Sequence, residues 1–141
     1  MDALDVETSI AEGEQALQAL LKFASATAGK LEAHEAEKGI FKRLLLIGLA
    51  AMKLYFAQRG TGDVGPAVTR ADGVLLPREQ KLRGRDDFSL FGTFAVARTC
   101  YRTPGEPGIF PLDAQVNLPE RCDSYFLQEW MTVFAVEHPY G

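Results

Sequence analysis

The sequence contains few of the residues that build disulfide frameworks, metal sites or membrane spans. Only two cysteines and two histidines occur among its 141 residues, and no charged and then apolar leader precedes a small-residue cleavage site at the start. The longest apolar run, from Leu44 to Met52, is far shorter than the roughly 20 residues of a membrane span. We therefore expect a globular protein of the reducing cytoplasm, with no membrane segment and no disulfide scaffold.

Common catalytic motifs are also missing. There is no GxSxG, P-loop or GxGxxG pattern, and Gly60-Thr-Gly62 lacks a following lysine-serine pair, which predicts a turn. Cys100 and Cys122 have no second cysteine nearby, and His34 and His138 lack an HExxH context, so none of these is expected to bind a metal. Both cysteines are expected to be buried thiols.

Carboxylates can hold the two metal ions that assist phosphoryl transfer on DNA. The central candidates are Asp86, Asp87 and Asp113. Adjacent side chains of a strand point to opposite faces, so Asp86 and Asp87 are not expected to coordinate one ion together. Asp113 follows a proline and a leucine and is expected to cap a turn. We therefore assign no catalytic residue and no metal ligand to this chain.

The net charge of -4 is unevenly distributed along the chain. Residues 1–59 carry eight acids and seven bases, residues 60–104 carry five acids and seven bases, and residues 105–141 carry six acids and one base. Local charge, more than the total, attracts charged partners. Only the middle third is basic, so it contains the candidate surface for nucleic acid.

Two helices are predicted before residue 60. Residues 5–37 are rich in helix-forming residues, and their apolar positions recur every three or four residues, which predicts one buried stripe. This stripe contains Leu17, Leu21, Ala24, Ala28 and Leu31. Lys38-Gly39 is expected to end the first helix, and a second follows with one face formed by Ile40, Leu44, Ile47, Ala51 and Leu54. The two form an antiparallel pair or one bent rod, with simple packing favoured over an autonomous coiled coil.

The segment from Gly60 to Pro66 has three glycines and a proline, which predicts a boundary between regions. Beyond it, the turn residues Asp72-Gly73 predict a small hairpin. Alternating apolar residues predict two further strands joined near Phe91-Gly92, with Ile109-Phe110 as a possible third strand. Because neither strand face is cleanly polar, helices are expected to cover one side of this sheet.

A last helix is predicted over residues 120–137, with Pro119 at its start and apolar residues at helical spacing. The predicted fold class is α+β, with an N-terminal helical pair, a small antiparallel β-sheet in the middle and a C-terminal amphipathic helix. The corresponding regions are a helical region over 1–59, a linker with the basic sheet over 60–118, and the final helix over 119–141.

A group of basic residues near aromatic side chains is the candidate DNA-binding surface, since such cations can neutralise phosphates. The group consists of Arg78, Lys81, Arg83, Arg85, Arg98 and Arg102. Edge strands also carry basic residues simply to avoid aggregation, and the acidic neighbours Glu79, Asp86 and Asp87 favour an ordinary solvated edge. Charge alone leaves both interpretations open.

A series of short motifs, in this order, resembles the N-terminal region of ISKra-type insertion-sequence transposases. The motifs are Gly62-Asp-Val-Gly-Pro66, Phe91-Gly92 with Arg98 and Tyr101, Pro111-Leu112-Asp113, Leu118-Pro119-Glu120 and Ser124-Tyr-Phe-Leu-Gln-Glu-Trp130. The resemblance covers about residues 40–141. It implies an enzyme that binds the ends of its own mobile element and moves it with a retroviral-integrase-like domain, whose acidic residues bind metal.

In that family the catalytic domain follows this region, so the resemblance implies that the catalytic carboxylates and their divalent metal are absent from this chain. Some relatives carry paired cysteines in the turn that corresponds to residues 102–108; this chain has none there, so no zinc ribbon is expected. The resemblance predicts a DNA-end-binding transposase fragment without a cofactor, whose partner is the DNA of the transposon ends. The alternative is a non-enzymatic helical module for interaction or homo-oligomerisation, and a self-sufficient metal nuclease is not expected.

Overall fold

The computed structural model of the protein describes residues 1–137, which form helices at both ends and two hairpins between them. The elements are α1 (Val6–Thr27), α2 (Ala33–Arg59), β1 (Ala67–Thr69), β2 (Leu75–Pro77), β3 (Arg83–Ser89), β4 (Gly92–Arg98), α3 (Pro111–Gln115) and α4 (Tyr125–Glu137). This order confirms the predicted α+β class. Within the described residues, every helix is too short or too polar to cross a membrane.

The first two helices pack side by side in opposite directions. Near one end of the pair, the ring of Phe23 occupies the space that a Cβ atom on Gly39 would fill. Towards the other end, a Cβ atom on Gly13 would lie in ordinary contact, at 3.6 Å, with the Cβ atom of Ala50. An early residue of α1 therefore meets a late residue of α2, so the helices form an antiparallel pair and not a bent rod.

The break between the helices lies at residues 28–32, so the prediction of a break at Lys38-Gly39 is wrong. The backbone N–H of Leu31 donates to the carbonyl oxygen of Thr27 at 3.0 Å as the chain turns. Gly39 remains helical inside α2, where its lack of a side chain makes room for Phe23. This glycine permits close helix packing, and that tertiary benefit outweighs its low intrinsic helix propensity.

The buried side of α1 also differs from the predicted stripe. The less exposed positions recur every three or four residues and include Val6, Ser9, Gly13, Ala16, Leu20, Phe23 and Thr27. Leu17 and Leu21, which were predicted to be buried, keep 47% and 60% of their surface exposed. Several of these less exposed residues are small, and they let α1 and α2 approach closely where the two helices touch. The larger Leu17 and Leu21 lie beside this contact, on an outer face of the helical pair.

The other side of α2 covers the hairpin formed by β3 and β4. Phe56 stacks on Phe94 with ring centroids 5.6 Å apart, and Gly48 leaves room for the ring of Phe91. The buried cluster consists of Phe56, Phe94, Val96 and Leu112, with Leu4, Leu49, Met52, Val116 and Leu118 packed around it. The prediction that helices cover one side of the sheet is therefore confirmed.

The strands form two separate two-stranded antiparallel sheets. The hairpin of β1 and β2 turns at Asp72-Gly73, where Gly73 has a φ of 88°, and the hairpin of β3 and β4 closes with Ser89 opposite Gly92. Both predicted turns are thus confirmed. The predicted third strand at Ile109-Phe110 is reduced to one isolated bridge between Tyr101 and Ile109.

The last helix begins at Tyr125, five residues later than predicted. The hydroxyl oxygen of Ser124 accepts a hydrogen bond from the backbone N–H of Leu127 at 3.1 Å. Ser124 therefore caps the helix, in the way that serine commonly satisfies a free N–H in the first turn, and Pro119 does not. Residues after 137, including His138, lie outside the described part of the chain.

Candidate nucleic-acid interface

The six candidate cations all lie on or beside the two hairpins. Arg83, Arg85 and Arg98 are on β3 and β4, and Arg78, Lys81 and Arg102 are in the connecting segments. The strand register places Arg83 opposite Arg98. Arg78 forms an isolated bridge with Tyr101, which precedes Arg102. The fold thus gathers these residues into one region, but most of them have protein carboxylates as partners.

Glu79 binds two of the cations at once. Nε of Arg83 donates to Oε2 of Glu79 at 2.7 Å and Nη2 donates to Oε1 at 3.1 Å, so the pair is bidentate. Nε of Arg102 also donates to Oε1 of Glu79. Hydrogen bonds from Arg83 first, and then from Arg102, lower the pKa of Glu79 to about 2. The carboxylate is therefore charged at neutral pH, and the group keeps a single net positive charge.

Asp63 in the Gly62-Asp-Val-Gly-Pro66 motif holds Arg78. Nη1 of Arg78 lies 2.8 Å and 2.7 Å from the two carboxylate oxygens of Asp63. The backbone N–H of Gly65, and then Arg78, lower the pKa of the Asp63 carboxyl. This pair lies at the surface, where an ion pair contributes little to stability, so it serves mainly to fix the position of the loop.

Tyr101 binds the same loop, residues 62–66, through its buried hydroxyl group. Its hydroxyl accepts a hydrogen bond from the backbone N–H of Val64 at 2.9 Å and lies 2.8 Å from the carbonyl oxygen of Gly65, to which it donates. The side chain is fully buried. A buried hydroxyl needs such partners, because an unpaired polar group in the interior is costly. Tyr101 is therefore a structural residue.

Arg98 is enclosed and paired with Asp113. Nη1 of Arg98 donates to Oδ2 of Asp113 at 2.7 Å, and its guanidinium lies 3.8 Å from the ring centroid of Phe110. Only 12% of the Arg98 side chain is exposed. The carboxylate of Asp113 thus binds an arginine, which corrects the prediction that this residue caps a turn.

Arg85 fixes the segment that leads to α4. Its Nη2 donates to the backbone carbonyl oxygens of Pro119 and Arg121, the latter at 2.8 Å, and its Nη1 lies 3.8 Å from Oδ2 of Asp113. Only 10% of its side chain is exposed. Arg85 and Arg98 therefore have structural roles, because they join β3 and β4 to the segments around Asp113 and Pro119. Their guanidinium groups are poorly placed to reach a phosphate.

Three of the six cations are open enough to contact a ligand. Lys81 is exposed and takes part in none of the ion pairs found among residues 1–137. Arg83 and Arg78 keep 45% and 41% of their side chains exposed, although each is already paired with a carboxylate. The accessible positive surface is consequently smaller than the sequence suggested.

The central carboxylates do not form a metal site. Asp86 is exposed and Asp87 is buried, as expected for neighbours on a strand whose side chains alternate between faces. Burial raises the pKa of Asp87, an effect that the positive charge of Arg85 partly offsets. One carboxylate oxygen of Asp87 has no hydrogen-bond partner within the described residues. Asp113 is already bound to arginine, so the three carboxylates do not converge.

The remaining candidate metal ligands are a group at the start of α2 and the two cysteines. Glu32, His34 and Glu35 lie close together in space, but all three are exposed at the start of α2. Cys100 is buried as predicted, whereas Cys122 is exposed, so the prediction of two buried thiols is half wrong. Burial is also the main reason that the pKa of the Cys100 thiol is raised. A cysteine nucleophile is activated by a lowered pKa, which Cys100 does not have.

The short motifs that stand far apart in the sequence meet in the fold. A Cβ atom on Gly62, which has a φ of 80°, would lie 2.6 Å from the backbone nitrogen of Leu112. The first motif therefore packs directly on Pro111-Leu112-Asp113. The same motif binds Tyr101, and Asp113 binds Arg98. Three of the five motifs thus form one connected cluster, which we call the motif cluster.

The sequence did not reveal the carboxylate partners of the arginines. Asp63 and Arg78 are 15 residues apart, as are Arg98 and Asp113, so no helical or strand spacing joins them. Arg83 and Glu79 are four residues apart, but they lie outside a helix, where that spacing has no fixed meaning. One indication of such pairing is present in the sequence: residues 60–113 contain equal numbers of acidic and basic residues.

Comparisons of the chain with protein-family models, with curated proteins and with solved structures return no match. The functional assignment therefore depends on the contacts within this chain. Those contacts are the arginine–carboxylate pairs, the motif cluster and the exposed faces of the helices.

Proposed function

We propose that the chain is the non-catalytic N-terminal segment of an insertion-sequence transposase, which helps to bind the DNA of the element's ends. The observation that carries this proposal is the motif cluster. Gly62, Asp63, Arg98, Tyr101 and Asp113, on which the resemblance depends, contact one another or adjoin residues that do. A shared structural task for these motifs supports the proposal, because it gives a physical reason for them to occur together in one chain.

The proposed role is non-catalytic, and the arrangement of the carboxylates in the hairpin region supports it. Glu79, Asp63 and Asp113 bind arginines, and Asp87 is buried whereas its neighbour Asp86 on β3 is exposed. Two-metal catalysis of phosphoryl transfer requires acidic groups that converge on one exposed point. In the hairpin region of residues 1–137 the carboxylates do not converge in this way, so the proposal places the catalytic domain elsewhere in the transposase.

The DNA contact is assigned to Lys81 and Arg83, with Arg78 beside them. Within residues 1–137 the ammonium of Lys81 is in none of the ion pairs, and Arg83 shares Glu79 with Arg102, which leaves a net positive charge at that group. Phosphate contacts from such cations position a protein on a duplex without reading bases. Sequence preference would then require other parts of the transposase.

A salt series of DNA-binding measurements tests this assignment. Fluorescence anisotropy would compare the chain with the variant Lys81→Gln/Arg83→Gln on a duplex that carries the terminal repeat of the element. Each lost phosphate contact should reduce the slope of log K against log salt by about 1. The matched control is Lys22→Gln/Lys30→Gln, with one cation on α1 and one in the turn that follows it, and it should leave the slope unchanged. An unaltered slope for the first variant would refute the assignment.

A non-enzymatic helical interaction module remains the second candidate function. The specific observation in its favour is the outer face of the helical pair, where Leu17, Leu21 and Leu44 are about half exposed. This function requires no DNA. It would be favoured if the chain bound DNA no better than the variant Lys81→Gln/Arg83→Gln but formed a stable complex through the helices.

A further inference from the structure

One face of the helical pair is apolar and uncovered within the described residues. Its most exposed members are Ile10, Leu17, Leu21, Ile40 and Leu44, with between 36% and 60% of their surface exposed. Ile10 and Leu17 line a shallow groove of about 280 Å³ between the helices. Its lining also includes Gly13, Glu14, Ile47, Ala50, Ala51 and Leu54. We call this surface the outer helical face.

The outer helical face has the pattern of a buried surface. On α1 the residues Ile10, Leu17 and Leu21 recur at intervals of seven and four, and on α2 Ile40 and Leu44 begin a series that continues through the groove. These spacings place each set on one side of its helix. The two sets flank one groove because the helices are antiparallel. A stripe of core composition that remains half exposed indicates that something covers it.

Apart from Glu14, which lines the groove, the middle of the face is free of charge. Residues 15–21 of α1 and residues 44–52 of α2 contain no acidic or basic side chain. A buried interface favours such a centre, because desolvating a charge without a partner costs more than the contact returns. The centre therefore suits a dry contact with another apolar surface.

The size of the face matches a weak, transient interface. From Ile40 to Leu54 the face runs about 21 Å along α2 at 1.5 Å per residue, and two adjacent helices are about 20 Å wide. The product is roughly 400 Å² on each copy, or about 800 Å² in total, which is in the range of weak protein interfaces. An interface of that size is expected to be reversible.

We propose that a second copy of this chain covers the outer helical face, so that two helical pairs form a four-helix bundle. An antiparallel helix pair with one apolar side is half of such a bundle, and an identical pair supplies the missing half. A two-fold axis through the face satisfies both copies with one set of residues, which is the commonest symmetry of soluble dimers.

The charges at the two ends of the helical pair favour antiparallel stacking of the two copies about the two-fold axis. Residues 1–14 and 50–59, at the open end, carry five carboxylates and two cations, whereas residues 22–43, at the turn, carry five cations and three carboxylates. Antiparallel stacking brings the acidic end of each copy next to the basic end of the other. Parallel stacking would bring ends of like net charge together.

Self-association is independent of the proposed DNA contact, which lies on the hairpins and not on the helices. It supplies a partner for the helical interaction module and would also give a transposase segment two copies of its DNA-contacting residues. Loss of DNA binding with the dimer intact would remove only the transposase assignment, and a monomer that binds DNA would remove only the dimer.

Sedimentation velocity tests the dimer at concentrations from about 1 to about 100 µM, the range over which weak complexes dissociate. At the upper end we expect a species of twice the 15.5 kDa mass of the chain. The variant Leu17→Glu/Leu44→Glu should sediment as a monomer with an unchanged helical circular dichroism signal. The matched control is Leu75→Glu on β2, where the side chain is 64% exposed but far from the face, and it should remain a dimer.

A milder variant keeps the test decisive if the double glutamate variant fails to fold. Leu17→Ala removes apolar surface without adding charge and should raise the dissociation constant at least about tenfold, as expected when central interface residues are truncated. The proposal is overturned if the unmodified chain remains a monomer at the highest concentration. It is equally overturned if the folded Leu17 variants associate as tightly as the unmodified chain, or if Leu75→Glu also dissociates it.

Discussion

The contact between Gly62 and Leu112 permits a direct test of the motif cluster through the substitution Gly62→Ala. Gly62 has a φ of 80°, and an added Cβ atom would lie 2.6 Å from the backbone nitrogen and 2.8 Å from the Cβ atom of Leu112. Leu112 is fully buried, so its backbone cannot move aside without disturbing the core. The substitution therefore combines an unfavourable backbone conformation with a steric overlap.

The two costs can be separated with a second glycine. Gly73 has a φ of 88° and nothing within 4 Å of an added Cβ atom, so Gly73→Ala incurs the backbone cost alone, about 1 to 2 kcal/mol. In Gly62→Ala the overlap adds about 1 to 3 kcal/mol, the usual cost of overpacking a close contact. The free energy of unfolding should thus fall by about 2 to 5 kcal/mol in Gly62→Ala.

Thermal and urea unfolding followed by far-ultraviolet circular dichroism would measure both variants. For a chain of this length each kcal/mol lowers the melting temperature by roughly 4 °C, so Gly62→Ala should melt at least about 4 °C below Gly73→Ala. The urea midpoint should fall in the same order, with an unchanged dependence on urea concentration. Equal losses in the two variants would refute the packing of the first motif on Leu112.

Three further predictions concern buried groups. Arg98→Met should lower the free energy of unfolding by about 2 kcal/mol, because it removes the hydrogen-bonded partner of the partly buried Asp113 carboxylate and leaves only the more distant Arg85, whereas Arg83→Met at the surface should cost less than about 1 kcal/mol; equal losses in urea unfolding would contradict this. Asp87→Asn should raise the urea midpoint at pH 7, since burial raises the pKa of this carboxyl and its charged form opposes folding. The gain should shrink as the pH falls through that pKa, where the native aspartate takes up a proton, and a gain that stays constant would argue against the buried charge. In the folded chain the exposed thiol of Cys122 should react rapidly with a thiol reagent, whereas the buried thiol of Cys100 should react only after unfolding. A rapid reaction of both thiols would contradict the burial of Cys100.

Local sequence patterns were sufficient for the elements whose determinants are local. The turn at Asp72-Gly73 and the turn before Gly92 require glycine or short polar residues, and both were predicted. The amphipathic helices were also predicted, because apolar residues at intervals of three and four favour a helix whatever covers it.

Features determined by distant contacts were predicted poorly. The role of Gly39 depends on Phe23 across the helical pair, so it could not be distinguished from a helix-terminating glycine by sequence alone. Leu17 and Leu21 were expected to be buried because a periodic stripe shows that a surface is apolar, but not which molecule covers it. If the second copy covers that face, the original expectation holds for the dimer.

The sequence predicted the cations of the candidate site, but it did not predict the carboxylates that bind them. A run of arginines indicates positive charge only if no carboxylate folds onto it, and Asp63, Glu79 and Asp113 do so from other segments. Among the six candidates, Lys81 is exposed and takes part in none of the ion pairs found among residues 1–137, so the positive charge read from the sequence is also present at the surface.

The most direct test of the central claim is the affinity of the chain for a duplex with the terminal repeat of the element, measured against a shuffled duplex over a range of salt concentrations. If the chain is a DNA-binding transposase segment, both duplexes should be bound more weakly as salt rises, the terminal repeat at least as tightly as the shuffled one, and Lys81→Gln/Arg83→Gln should weaken both. Binding that is absent at low salt, or that is unaffected by salt and by this variant, would contradict the claim.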